Sequence, residues 1–234
     1  MKKNLIVLLV AMLATQTAYA DFYDIPEGIE KERIEYLEKK GVINGVGEGR
    51  FAPERNVTRA EFTAMVNRAM GYEEKDTENK FSDISGGDWY YNDVLVASKT
   101  GIIAGFPDGT FKPDENITHE QAVKILVSVY ETKYSVTPSG DMATLFEDYY
   151  DISDWARGYV SKGTMLSIAK GFAPETDFGE QSYIIGSTGN ADPDADKSIT
   201  KFKPQGYTSR LEAGDMVYSL LNALEMSQKA DVRN

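Results

Sequence analysis

One segment of this chain occurs three times, and that recurrence constrains the fold more than any other feature. Phe51-Ala-Pro53 followed by Val57-Thr58-Arg59-Ala60-Glu61 returns as Phe111-Lys-Pro113 with Ile117-Thr118-His119-Glu120-Gln121. It returns again as Phe202-Lys-Pro204 with Thr208-Ser209-Arg210-Leu211-Glu212, the Phe always seven residues before the hydroxyl residue. Upstream the register also holds: Trp89 and Gly105 are sixteen apart, as are Trp155 and Gly171, and Ile29 and Gly45 take these places in the first copy. A period of this length marks a small supersecondary unit that cannot bury its apolar face alone and must share a core with its neighbours.

Each unit ends in a helical pattern. Phe62, Met65, Val66, Ala69 and Met70, then Ala122, Ile125, Leu126, Val129 and Tyr130, then Ala213, Met216, Val217, Leu220 and Leu221 fall on one stripe. Thr58 with Glu61, Thr118 with Gln121 and Ser209 with Glu212 have the capping-box spacing at the start of these helices. Val57 and Ile117 are placed to act as hydrophobic staples, Thr208 only weakly so. A shorter helix fills the earlier half of each unit, Trp89 to Thr100 in the second, closed by Gly101, with Gly41 in that place in the first copy and Ser167 in the third. Turn chemistry in Pro107-Asp108-Gly109 and Gly47-Glu-Gly49 joins the two halves. The fold class expected is all-α, three helix-loop-helix repeats around a shared helical core.

The remaining stretches are less regular. Lys2 and Lys3, the apolar run Leu5 to Ala14 and Ala18-Tyr19-Ala20 read as a signal peptide over 1–20. The units are placed at 21–74, 79–134 and 143–224, with a polar insertion at about 173–201, partly ordered around Tyr183-Ile184-Ile185, and a frayed tail at 225–234. No further module is expected after the repeats.

Composition narrows the chemistry. With 25 basic against 37 acidic residues the net charge is −12, and removal of residues 1–20 leaves 23 basic against the same 37. A broad nucleic-acid or anionic-membrane footprint is therefore excluded, and an anionic ligand needs a local basic pocket. There is no Cys, and a single His builds no multi-His zinc site. Asp192, Asp194 and Asp196 alternate like the opening of a calcium loop, but Lys197 stands at the required Gly and Lys203 at the closing Glu, so no metal or other cofactor is expected. Asp24, Asp83 and Asp148 recur before the first helices and read as caps.

Phe81-Ser-Asp83-Ile84, Trp89, Gly101-Ile-Ile103-Ala-Gly105, Asp108-Gly-Thr-Phe111-Lys-Pro113 and Ile117-Thr118, with Thr58-Arg59-Ala60-Glu61 in the first copy, resemble S-layer homology domains. The resemblance covers nearly the whole chain after residue 20. It implies a pseudo-threefold bundle that holds exported proteins on the bacterial cell wall. The ligand it implies is a secondary cell-wall polysaccharide, often carrying pyruvyl ketals, or a modified peptidoglycan, bound in grooves between adjacent repeats.

The residues point to where such a site lies. Arg59 and Arg210 occupy the first helical position, where the helix dipole does not favour a cation. An Arg fork beside free N–H groups is a good carboxylate receptor, so both are expected to bind glycan and to be dispensable for folding. His119 takes the matching place as a weaker, mostly neutral member, and His119→Arg is expected to strengthen a carboxylate ligand's hold on the second groove. Glu120 beside it works against an anion. Trp89 and Trp155 are either groove walls that stack on a sugar or half-buried packing residues, the latter favoured. Gly45, Gly105 and Gly171 permit close approach of a ligand or serve tight turns. Because every recurrent carboxylate has a capping explanation, the chain reads as a non-catalytic, cell-surface anchoring protein. An exported carbohydrate-active enzyme and a protein-interaction scaffold acting through the 173–201 insertion are the alternatives.

Overall fold

The computed structural model describes residues 22–73, 78–137, 140–172, 183–184 and 201–232. Among the described residues six helices carry the architecture: α1 (Ile29–Lys39), α2 (Arg59–Met70), α3 (Tyr91–Lys99), α4 (His119–Glu131), α5 (Asp154–Met165) and α6 (Arg210–Asp231). Two 3-10 turns, Met142–Leu145 and Tyr149–Asp151, precede α5, and Gly171–Phe172 (β1) pairs antiparallel with Tyr183–Ile184 (β2). Among the described residues the fold is all-α apart from this two-residue pair. The signal peptide, the Asp192-Asp194-Asp196 stretch and most of the insertion lie outside the described residues.

The three capping boxes form as their spacing predicts. The side chains of Thr58, Thr118 and Ser209 each accept from the N3 backbone N–H, and Glu61, Gln121 and Glu212 each accept in return from the N-cap backbone. The left-handed closures of the first helices also form: Gly41 has φ 70°, Gly101 φ 75°, and Ser167 takes φ 57° in the third unit. Residues after Leu224 are not a frayed tail. Helix α6 continues without a break to Asp231, while α2 and α4 end after 12 and 13 residues.

Helix packing runs between units. The first helix of each unit lies on the second helix of another: α3 on α2, α5 on α4, and α1 on α6, which closes the chain on itself. The apolar stripes meet in one continuous core that includes Phe62, Val66, Leu126, Val129, Val217 and Leu220.

Backbone hydrogen bonds close the same circuit at the helix starts. Val57 N–H donates to Thr208 O at 3.0 Å, Thr208 N–H to Ile117 O at 2.9 Å, and Ile117 N–H to Val57 O at 3.0 Å. Each of these three residues is fully buried. Past each N-cap, the first two helical N–H groups reach the loop of the following unit. Arg59 and Ala60 donate to Glu115 and Pro113, His119 and Glu120 to Gly206 and Pro204, and Arg210 and Leu211 to Arg55 and Pro53. The orphan donors of each helix start are thus satisfied by another unit's carbonyls.

The recurrent aspartates do not cap helices. Asp24 accepts from the backbone N–H groups of Phe51 and Ala52 at 2.7 and 2.8 Å. Asp83 grips Phe111 and Lys112 in the same way, and Asp148 grips Phe202 and Lys203. The second residue of each gripped pair is left-handed, with φ 59° at Ala52, 59° at Lys112 and 53° at Lys203. Each precedes a proline, which ordinarily holds its neighbour extended. A strained residue persists where its surroundings over-determine it, and the carboxylate supplies two hydrogen bonds for that purpose. The Phe two residues before each Asp packs on the gripped Phe, with ring centroids 5.3 Å apart for Phe22 and Phe51, 5.5 Å for Phe81 and Phe111, and 5.3 Å for Phe146 and Phe202.

Burial works to raise the carboxyl pKa of Asp24, but the hydrogen bonds from Phe51 and Ala52 and the Arg50 charge hold it below the ordinary 3.8. A group depressed in the folded state stabilises fully above its unfolded value and stops doing so as pH falls through the folded one. Asp24→Ala is therefore expected to cost about 2 kcal/mol at pH 7, the sum of two modest hydrogen bonds. In urea titrations the gap between variant and parent should close as pH drops below 3.8.

Candidate functional site

The first-turn cations are buried, and their polar atoms face the next unit. Arg59 and Arg210 are 6% and 5% exposed, and His119 is 5% exposed. Arg59 Nε donates to Phe111 O at 2.9 Å, and Arg210 Nε donates to Phe51 O at 2.8 Å. Both guanidinium groups lie over the ring whose carbonyl they hold, 4.8 Å from the Phe111 centroid and 4.6 Å from that of Phe51. A second Arg210 bond reaches Asn44 O, and Arg59 also touches the Gln121 side chain. His119 follows the same plan, Nδ1 against Lys203 O at 2.8 Å and Nε2 against Glu212 Oε2 at 3.3 Å.

These contacts correct the expectation that Arg59 and Arg210 are dispensable for folding. Each holds a loop carbonyl of another unit in a site from which water is largely excluded. They correct the reading of His119 as a carboxylate receptor too, because both its ring nitrogens face protein oxygens. Burial acts to raise the Glu212 pKa, but the His119 and Ser209 hydrogen bonds hold it below the usual 4.5.

Glu120 has structural work that the sequence does not reveal. Its Oε1 accepts from Ser153 Oγ at 2.8 Å and from Gln205 Nε2 at 2.9 Å, while Oε2 accepts from Ser153 N at 3.1 Å. Ser153 is the N-cap of α5 and makes no capping bond of its own, so α4 fastens the start of α5.

Gly45 and Gly105 are explained by packing. A Cβ on Gly45 would stand 2.7 Å from Phe22 Cε1 and 2.8 Å from Arg50 O, and one on Gly105 2.5 Å from Phe81 Cε1 and 2.6 Å from Thr110 O. The Phe of each Phe-Phe pair takes up the space a side chain would need. Gly171 opens β1 and is buried. Neither tryptophan belongs to the core. Trp89 is 61% exposed and Trp155 52%, with Trp89 one residue outside the N-cap of α3 and Trp155 in the first turn of α5.

Arg59, Gly105, Phe106, Gln121, Lys124 and Trp155 line a groove of about 380 Å3, so residues of α2, α4, α5 and the loop after α3 meet there. Burial pushes the Arg59 guanidinium down to about 10 against the attraction of Glu115 and Asp83. Burial, and then the Arg59 charge, lower the Lys124 ammonium, which donates to Ile102 O at 3.1 Å. Two cations therefore share a confined, partly desolvated space. Lys124 escapes detection by repetition, because Ala64 and Asp215 stand at its matching places.

The groove is built where helix-loop-helix segments interlock, so its wall is assembled between them rather than within one. Residues 19–63 and 80–123 match the S-layer homology domain, so the chain carries that domain at these two segments. It is 33% identical over 86% of its length to an exoglucanase XynX of Acetivibrio thermocellus, and 34% identical over 86% to an amylopullulanase of Thermoanaerobacterium thermosulfurigenes. A surface layer protein of Brevibacillus choshinensis is 32% identical over 60% of the chain. The chain spans only 16%, 9% and 12% of these relatives. The domain match and the surface-layer relatives indicate an exported, cell-surface protein, and no helix among the described residues is long and apolar enough to cross a membrane.

Arg59→Ala should lower stability by about 2 kcal/mol, since a buried carbonyl loses a charged donor and a ring loses its cover. Arg59→Lys should recover only part, because an ammonium lacks the planar fork that stacks while donating. Urea midpoints of the three proteins check this, and a parent-like midpoint for Arg59→Ala would show the contact to be idle.

Proposed function

We propose that this chain anchors to the cell wall by binding an anionic wall polysaccharide in the groove between its helix pairs, and that 143–224 is the third repeat of the unit matched at 19–63 and 80–123. The convergence of Arg59, Lys124 and Trp155 in that groove carries the reading. An aromatic face supports stacking on a sugar ring, and a pair of cations in a confined space favours a carboxylate, such as a pyruvyl ketal or a uronate. Lys124, held only by one carbonyl, is the cation that turns to the ligand, while Arg59 fixes the groove wall and supplies charge. Glu120 lines the groove as well, but its oxygens are engaged by Ser153 and Gln205, which limits its repulsion.

The same arrangement supports a non-catalytic role: the recurrent carboxylates Asp24, Asp83 and Asp148 hold backbone N–H groups. The relatives named as enzymes share only a small fraction of their length with this chain. Arg210 and the exposed Trp89 take the matching places around the loop at Gly45 and form the second glycan groove by the same logic. His119 and Gly171 mark the remaining one, which lacks a first-turn cation of comparable strength.

Co-sedimentation with wall sacculi tests the proposal. Binding should be lost when the non-peptidoglycan polymer is extracted; equal binding to extracted sacculi would transfer the ligand to peptidoglycan. Lys124→Gln and Trp155→Ala alter partly exposed side chains and should each weaken binding about 10-fold with parent-like urea midpoints, the scale of one charged hydrogen bond. Added salt should weaken the parent more than Lys124→Gln.

A further inference from the structure

Asn44-Gly45 is the only Asn-Gly pair in the sequence. It stands in the loop of the first unit, in a stretch that belongs to no helix or strand, and Asn44 is exposed. Among the described residues neither the Asn44 side-chain amide nor the Gly45 N–H takes part in a hydrogen bond, so no existing bond has to break for the two to meet. The carbonyl between them is held instead. Arg210 donates from Nη2 to Asn44 O at 2.9 Å and from Nε to Phe51 O at 2.8 Å. The matching Arg59 turns its second donor to the Gln121 side chain, and Ala104 and Lys170 stand at the places matching Asn44, so the arrangement occurs in one unit alone. Gly45 is itself fixed by packing, because a Cβ there would stand 2.7 Å from Phe22 Cε1 and 2.8 Å from Arg50 O. A residue without Cβ is also the one that least obstructs approach to its own nitrogen.

We infer that Asn44 is a self-modification site, at which the folded chain converts the side-chain amide to aspartate and isoaspartate with Arg210 promoting the step. Gly45 N gives its proton to solvent hydroxide and attacks Asn44 Cγ. The N–Cγ bond forms, the Cγ–Nδ2 bond breaks, and Nδ2 leaves as ammonia with a proton from water. Water then opens the imide ring, at Cγ to give aspartate or at the Asn44 backbone carbonyl carbon to give isoaspartate, whose chain runs through Cβ and Cγ. Before attack the negative charge is shared between Gly45 N and Asn44 O. A cationic donor already in place on that oxygen stabilises the charge as an oxyanion hole does. Isoaspartate lengthens the backbone just ahead of Gly45, where Phe22 and Arg50 leave no room, and either product sets a carboxylate beside Arg210. If the groove at Gly45 binds an anionic glycan, as proposed above, the product repels it; the modification itself does not depend on that reading.

Timed incubation of the full chain at mildly alkaline pH, natively and in urea, tests the inference. Trypsin cleaves after Lys40 and Arg50, so residue 44 is read in the peptide 41–50, where mass spectrometry detects the exchange of NH2 for OH and chromatography separates isoaspartate from aspartate. The native parent should be modified faster than the same chain in urea, because Arg210 reaches Asn44 O only in the folded state. Arg210→Gln should react at least about 10-fold more slowly than the parent under native conditions, the low end of what one oxyanion donor supplies, and at the parent's rate in urea. The comparison of the parent with itself decides the matter even where Arg210→Gln fails to fold. A parent modified no faster natively than in urea, or equal native rates for the parent and a folded Arg210→Gln, would overturn the inference.

Discussion

Three backbone hydrogen bonds that run from Val57 to Thr208, from Thr208 to Ile117 and from Ile117 back to Val57 are what the rest of the structure depends on. They lie at the residues just before the three capping boxes, so each helix start is fixed relative to the other two before any side chain is considered. A buried N–H has to find an acceptor, and here none finds it within its own unit. The units therefore cannot separate without leaving several donors unpaired. Placement of α1 on α6 follows from the same closure, because the first and last helices meet when the circuit is complete.

The grooves follow from that arrangement. Each loop is gripped from one side by an aspartate of its own unit and from the other by the first-turn Arg or His of another. A cation at the first position of a helix opposes the dipole. The side chain gains instead by reaching a carbonyl and a ring of the next unit, where the unfavourable end of the dipole counts less. Holding the loop in place brings Gly105 and Phe106 beside Lys124 and Trp155, so the groove is a product of the packing.

Much of this was legible in the residues. The three second helices, their caps, the left-handed helix ends and the shared core follow from the hydroxyl-to-Glu or Gln spacing and the apolar stripes. The Phe-x-Asp pairs at Phe22, Phe81 and Phe146 recur as plainly as the later motif, yet their grip on a distant backbone N–H pair is a tertiary contact that local pattern does not encode. The burial of Arg59 and Arg210 is of the same kind: spacing locates a residue on a helix, but the partner carbonyl belongs to another unit. Lys124, Glu120 and Asn44 do not recur, so comparison among the copies passes over them. Continuation of α6 to Asp231 was hidden by the polar, weakly periodic run Glu225-Met226-Ser227-Gln228-Lys229, which an i, i+4 pair between Glu225 and Lys229 supports.

The claim that the units form one interlocked body is tested most directly by native-state hydrogen exchange at the amides of Val57, Ile117 and Thr208. If the circuit is closed, all three exchange only through global unfolding, with one common free energy and the full denaturant dependence. Exchange of any one of them through a separate, lower-energy opening with little denaturant dependence would contradict it, and would describe independent units rather than a ring.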